Sequence, residues 1–136
     1  MIKMYAWHEA GHAVVAESFG YKVKGIHIGN KTVTIQLNKV PLESYENACI
    51  AMAGYFAASK YSEVDNIKCM MYCKNDYERA ERDLKNDSGL TRKMIREEIY
   101  NRLDYNRLLY WYNYIYSLLD NHSDDSCTEY FEISEL

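Results

Sequence analysis

The chain has 136 residues, 48% of them hydrophobic, and a formal net charge of −4 from 16 Lys+Arg against 20 Asp+Glu. That length suits one domain, residues 1–136, with a core of its own; the acidic balance lacks the basic surplus of a nucleic-acid binder; and no run nears the roughly 18 apolar residues of a membrane span. With only 6 Gly and 1 Pro, the composition favours long helices and short loops over a turn-rich sandwich or barrel.

Residues 2–19 predict a helix, because Met4, His8, His12, Val15 and Phe19 recur on one face and Gly20 is a natural stop. Segments 22–28 and 32–38 alternate and are β-branched around Gly29-Asn30-Lys31, the pattern of a hairpin. Pro41 is expected to open the next helix, which runs to about Lys60. It carries Tyr45, Cys49, Met52 and Phe56 on one face. A small-residue stripe of Ala48, Ala51, Gly54 and Ala58 permits close helix contact on another. Residues 61–72 do not declare a type. A further helix is expected over 75–86, broken by Asn86-Asp87-Ser88-Gly89.

From Leu90 to about Leu119 the pattern is again helical. Ile95, Ile99 and Leu103 make one stripe, and Leu108, Trp111 or Tyr112, Ile115 and Leu119 a second. The five-residue step from 103 to 108 slips the register and predicts a kink or break near Asp104–Arg107. The segment 90–120 is rich in tyrosine: Tyr100, Tyr105, Tyr110, Tyr112, Tyr114 and Tyr116 point in several directions. They read as an aromatic core with hydroxyls reaching solvent, or as a packing surface for a partner or a homo-oligomer. The acidic, polar tail, 121–136, is expected to be frayed. The fold class is therefore mainly α (α+β), with one small β-hairpin.

The opening MIKMYAWHEAGH has neither an apolar core nor a small-residue cleavage site, so no secretory leader is expected. Cys49, Cys69, Cys73 and Cys127 are then read as reduced thiols in a cytoplasmic protein. Cys69 and Cys73 share a helix face, but no second pair stands at zinc-knuckle spacing.

The residues that carry chemistry are His8-Glu9-Ala10-Gly11-His12, an H-E-x-x-H motif on a predicted helix. Histidines at i and i+4 project from one face, so two imidazoles can bind one Zn²⁺. Glu9 lies about 100° around the helix from His8, beside the metal rather than on it. There it can take a proton from water as that water attacks a carbonyl, and then protonate the leaving amine. The bland alternative is two histidines on an amphipathic helix with no metal, or a zinc site without catalysis. Zinc needs a third protein ligand. The extended motif with a third His fails, since Val15 and Ser18 stand in its places. Chemistry leaves His27, Glu43, Glu46, Glu63, Asp65, Asp76 and His122 open as the third ligand.

HEAGHAVVA at 8–16 resembles the zinc-binding helix of the FtsH-type AAA proteases. Asn75-Asp76 followed by Glu78-Arg79-Ala80 resembles that family's N-D-x-E-R-A segment, and Ala53-Gly54-Tyr55-Phe56-Ala57 loosely resembles its G-G-R-A-A stretch. The likeness covers roughly residues 5–86. It implies a zincin-like helical peptidase domain in which His8, His12 and Asp76 bind zinc and Glu9 is the general base. The ATPase module and membrane segments of that family have no counterpart here, and no P-loop sequence is present. The first glycine of the family's pair is Ala53, and its acidic pair is Ala58-Ser59.

Two functions follow as expectations. One is a stand-alone zinc metallopeptidase acting on peptides, unfolded proteins or exposed loops, served by a separate ATPase or regulatory protein if by any. The other is a regulatory or binding protein of phage or mobile-element type on a peptidase scaffold, with zinc but little general proteolysis.

Overall fold

The structure, a computed structural model, describes residues 2–29, 32–87, 89–122 and 129–133. In chain order its elements are α1 (Ile2–Ser18), β1 (Val23–Gly29), β2 (Thr32–Leu37), α2 (Ser44–Tyr61), α3 (Asn66–Tyr72), α4 (Lys74–Asn86), α5 (Arg92–Arg102), α6 (Tyr105–Asp120) and β3 (Glu129–Glu132). The protein is mainly helical with a small antiparallel sheet.

Helix α1 is the centre of the molecule. From Met4 to Ala16 every residue except the half-buried Tyr5 is buried, so beyond the face of Met4, His8, His12 and Val15 the helix is enclosed on its other sides too. Small residues allow this. A Cβ on Gly11 would lie 2.5 Å from the Ala53 carbonyl oxygen and 2.8 Å from the Ala57 methyl, so α2 crosses α1 at near backbone contact. On the other side α6 packs against α1 through Trp7, Val14, Leu108, Trp111 and Ile115. Glu17 ties the two together: its carboxylate accepts from Arg107 at 2.9 and 2.7 Å and from the Trp111 indole at 2.8 Å.

The hairpin lies where it was expected, with Ile26 opposite Ile35 and His27 opposite Thr34; Asn30 and Lys31 of its turn lie outside the described residues. Strand β3 is an addition. Within the tail expected to fray, Glu129–Glu132 pairs antiparallel with β1, giving the sheet order β2-β1-β3. Phe131 packs against the core, which supplies the apolar burial that the strand's polar neighbours hide in the sequence. The rest of that tail, 123–128 and 134–136, lies outside the described residues.

Helix α2 starts at Ser44 rather than at Pro41. Val40 and Leu42 are 79% and 94% exposed. With nothing to bury there, the chain stays extended until Glu43, whose φ of −95° and ψ of 135° mark the true N-cap. The undeclared stretch 61–72 contains α3, seven residues long, started by the Asp65 carboxylate accepting from the Lys68 N–H at 2.9 Å. The register slip is a break: α5 ends at Arg102, and Asp104 caps α6 by accepting from the Arg107 N–H at 3.0 Å. The tyrosines divide. Tyr112, Tyr114 and Tyr116 pack against the core, whereas Tyr100, Tyr105 and Tyr110 are about half exposed. No helix among the described residues is long and apolar enough to cross a membrane.

Trp7 is sandwiched by Tyr112 and Tyr61, with ring centroids 3.9 and 5.1 Å away. Trp7→Ala is expected to cost about 3–5 kcal/mol of unfolding free energy by urea titration. Tyr110→Ala, at 51% exposure, is expected to cost less than about 0.5 kcal/mol.

Candidate metal centre

Three ligand atoms converge in the interior. His8 Nε2 lies 2.9 Å from Asp76 Oδ2, His12 Nε2 lies 3.1 Å from the same oxygen, and the two Nε2 atoms are 2.9 Å apart. Ligands about 2.0–2.1 Å from a tetrahedral zinc stand roughly 3.3 Å from one another, so the triangle needs only a few tenths of an ångström of expansion to close on an ion. Glu9 completes the group: with His8 and His12 its ligand atoms fall within 4.8 Å of one another. His8 and His12 come from adjacent turns of α1 and Asp76 from the first turn of α4, 68 residues after His8.

Each side chain is held from behind. His12 Nδ1–H donates to the Ile50 carbonyl oxygen on α2 at 2.6 Å. His8 Nδ1 lies 3.1 Å from the Cys73 sulfur, at the junction of α3 and α4, and the Tyr72 ring meets the His8 ring edge-on at 4.8 Å. Both Nε2 atoms are thereby turned inward. Asp76 Oδ1 accepts from Arg79 at 3.0 Å, leaving Oδ2 for the imidazoles. Glu9 Oε2 accepts from the Ile35 N–H of β2 at 3.3 Å, while Oε1 faces His8 Nε2 at 3.8 Å. Beneath the cluster is Gly54 of α2. A Cβ there would lie 2.7 Å from His12 Nε2 and 2.8 Å from His8 Cε1.

The charges are strongly coupled. Burial, aided by the neighbouring His12, drives His8 down to about 4. Burial pushes Glu9 up to about 7, against the pull of His12. Burial alone would lower His12, but the Asp76 hydrogen bond and the charges of Glu9 and Asp76 raise it to about 9. Burial alone would raise Asp76, yet the hydrogen bonds from His12 and His8 hold its carboxyl far below the usual range. The two acids thus favour a positive charge at His12.

A cleft of about 320 Å³ opens onto the cluster, lined by Glu9, His12, Asp76 and Arg79 and by Thr34, Ile35 and Leu37 of β2. The other third-ligand candidates lie elsewhere. His27 Nε2 bonds to Gln36 Oε1, and its ring packs on Tyr130. Glu46 accepts from the Tyr21 hydroxyl, Asp65 caps α3, and His122 meets Glu129 at 3.0 Å. Glu43 is the exposed N-cap of α2, and Glu63 is exposed in the α2–α3 loop. Cys49, Cys69 and Cys73 are free and buried; Cys127 lies outside the described residues. Burial raises all three thiols, Cys49 to about 12, so they are protonated and poorly reactive.

Sequence reasoning missed Cys73, the Ile50 carbonyl and the role of Gly54. The small-residue stripe on α2 and the loose G-G-R-A-A likeness were the signals pointing to Gly54. No protein family, no curated protein and no solved structure matches the chain.

Zn²⁺ at 100 times its Kd should raise stability by about 2.7 kcal/mol, read as a thermal shift. Asp76→Ala should remove most of that shift, and exposed Glu78→Ala should keep it. Gly54→Ala, a gain in helix propensity of roughly 0.5–1 kcal/mol, should still weaken zinc binding, because the added methyl strikes both imidazoles. The metal-free protein should also lose stability between pH 6.5 and 9. His12, raised from 6.5 to about 9, stabilises fully below 6.5 and less as it deprotonates. Glu9, raised from 4.5 to about 7, acts in the same direction but between those two values, so it adds to the loss only at the start of that window. His8 and Asp76, both lowered, have finished titrating by then. Zinc binding should strengthen over that window, since its histidines must be neutral, and urea titrations with and without zinc separate the two slopes.

Proposed function

We propose that the protein is a zinc-dependent metallopeptidase in which His8, His12 and Asp76 hold the metal and Glu9 is the general base. The convergence of His8 Nε2, His12 Nε2 and Asp76 Oδ2 beside Glu9, at the floor of a cleft, carries this reading. Two imidazoles and a carboxylate are a donor set that suits zinc. When bound, zinc would supply Lewis-acid polarisation of a carbonyl and acidify water towards neutral pH.

The chain's own residues supply the remainder. Glu9 Oε2 is held by the β2 backbone, so Oε1 is the free base: it accepts a proton from the attacking water and returns it to the leaving nitrogen. Ile50 and Cys73 hold the imidazoles so that their Nε2 atoms stay on one point. Strand β2 is at the edge of the sheet and runs along the cleft. An extended peptide is held there by pairing with that edge, which limits the substrate to peptides and unfolded or exposed segments. Three buried free thiols fit work in the reducing cytoplasm. A separate ATPase or regulatory protein would widen the range of substrates, and the exposed Tyr105 and Tyr110 of α6 are the candidates for a homo-oligomer contact.

Glu9→Gln removes the base while keeping the shape. It should retain the zinc-dependent thermal shift and cut hydrolysis of unfolded casein by about 10²–10⁴-fold. Equal activity in that variant refutes the role of Glu9. A zinc-loaded wild type that cleaves neither casein nor short peptides favours a regulatory protein on this scaffold.

A further inference from the structure

A second cavity of about 430 Å³ lies away from the metal cluster, between α2, α4 and α5, with α3 at its rim. Its size falls within the range of small-molecule sites, roughly 300–1,000 Å³. Phe56, Tyr77 and Tyr100 give it aromatic walls, and Met52 and Met70 add thioethers that adapt to a planar guest.

Its polar groups are unbalanced. Arg92 is paired to Glu81 at 2.5 Å. Arg96, an exposed residue also in the lining, makes no hydrogen bond or ion pair among the described residues. Two guanidinium groups against one acid leave a local surplus of one positive charge on a chain whose net charge is −4. A guanidinium at the edge of an aromatic pocket suits one anionic oxygen group, held by two parallel N–H donors.

We propose that this cavity binds a small aromatic amphiphile bearing one anionic head, such as an arylcarboxylate or arylsulfonate, with the ring among Phe56, Tyr77 and Met70 and the head on Arg96. The site does not depend on the peptidase reading, because none of its lining residues is a metal ligand. Its walls nonetheless belong to helices of the metal cluster: α2 presents Ile50 and Gly54 to the cluster and Met52 and Phe56 to the cavity, and α4 presents Asp76 and Arg79 to one and Tyr77 and Leu84 to the other.

The test uses the full chain and two probes of similar shape, the anionic 1-anilinonaphthalene-8-sulfonate and the neutral N-phenyl-1-naphthylamine, read by fluorescence titration. The anionic probe is expected to bind 1:1 with a Kd on the order of tens of micromolar, in line with drug-sized ligand efficiencies. Arg96→Ala should weaken it about tenfold and leave the neutral probe unchanged. Met70→Trp, at a partly exposed rim position, should weaken both by filling the cavity. Circular dichroism confirms that each variant is folded. Equal affinity for the two probes, no loss in Arg96→Ala, or stoichiometry well above one overturns the proposal. So does sedimentation showing that a second copy covers this face at the working concentration.

Discussion

Two imidazoles buried side by side on α1 are tolerable only because Asp76 reaches them from α4. Unpaired, they would either charge at a large desolvation cost or leave buried ring nitrogens without partners. Asp76 answers both at once with a single oxygen, and Arg79 holds its other oxygen in place. That contact fixes where α4 begins, where Cys73 meets His8, and how α4 lies across α2. The cleft and the second cavity are the two sides of the arrangement that results.

The local chemistry of α1 was legible because it is periodic: histidines four apart and a carboxylate one residue on give a face and a neighbour without any tertiary knowledge. The other long helices followed for the same reason, down to the break that a five-residue step announces between 103 and 108, while the short α3 did not. Asp76 was different. Spacing left seven candidates for the third ligand, and only a resemblance pointed to this one. Six of the seven prove to be capping helices, pairing with nearby groups or standing in solvent, roles a linear pattern does not distinguish from ligation.

What stayed hidden has physical causes. The Ile50 carbonyl belongs to the backbone, so no residue type signals it. Gly54 acts through an absent side chain, and a glycine in a helix reads first as a weakness. Strand β3 is four residues with polar neighbours, and its partner lies about a hundred positions away; non-local pairing leaves little trace in a short segment. Pro41 misled because its fixed φ suits a first helical turn, whereas the exposed Val40 and Leu42 give that turn nothing to bury.

Helix α1 contributes to each of the three apolar clusters: Trp7 and Val14 to one, Val15 and Ala16 to the second, Met4 to the third. Because it lies inside all of them, the helix belongs to the most protected cooperative unit of the chain. Moving α1 to release either imidazole would disturb all three clusters at once. An ion bound at the proposed site would therefore leave through the cleft, past Arg79 and the β2 edge, or on unfolding of those clusters. The lifetime of a metal at the proposed site would then be a property of the cleft mouth, while its presence would be recorded in the stability of all three clusters.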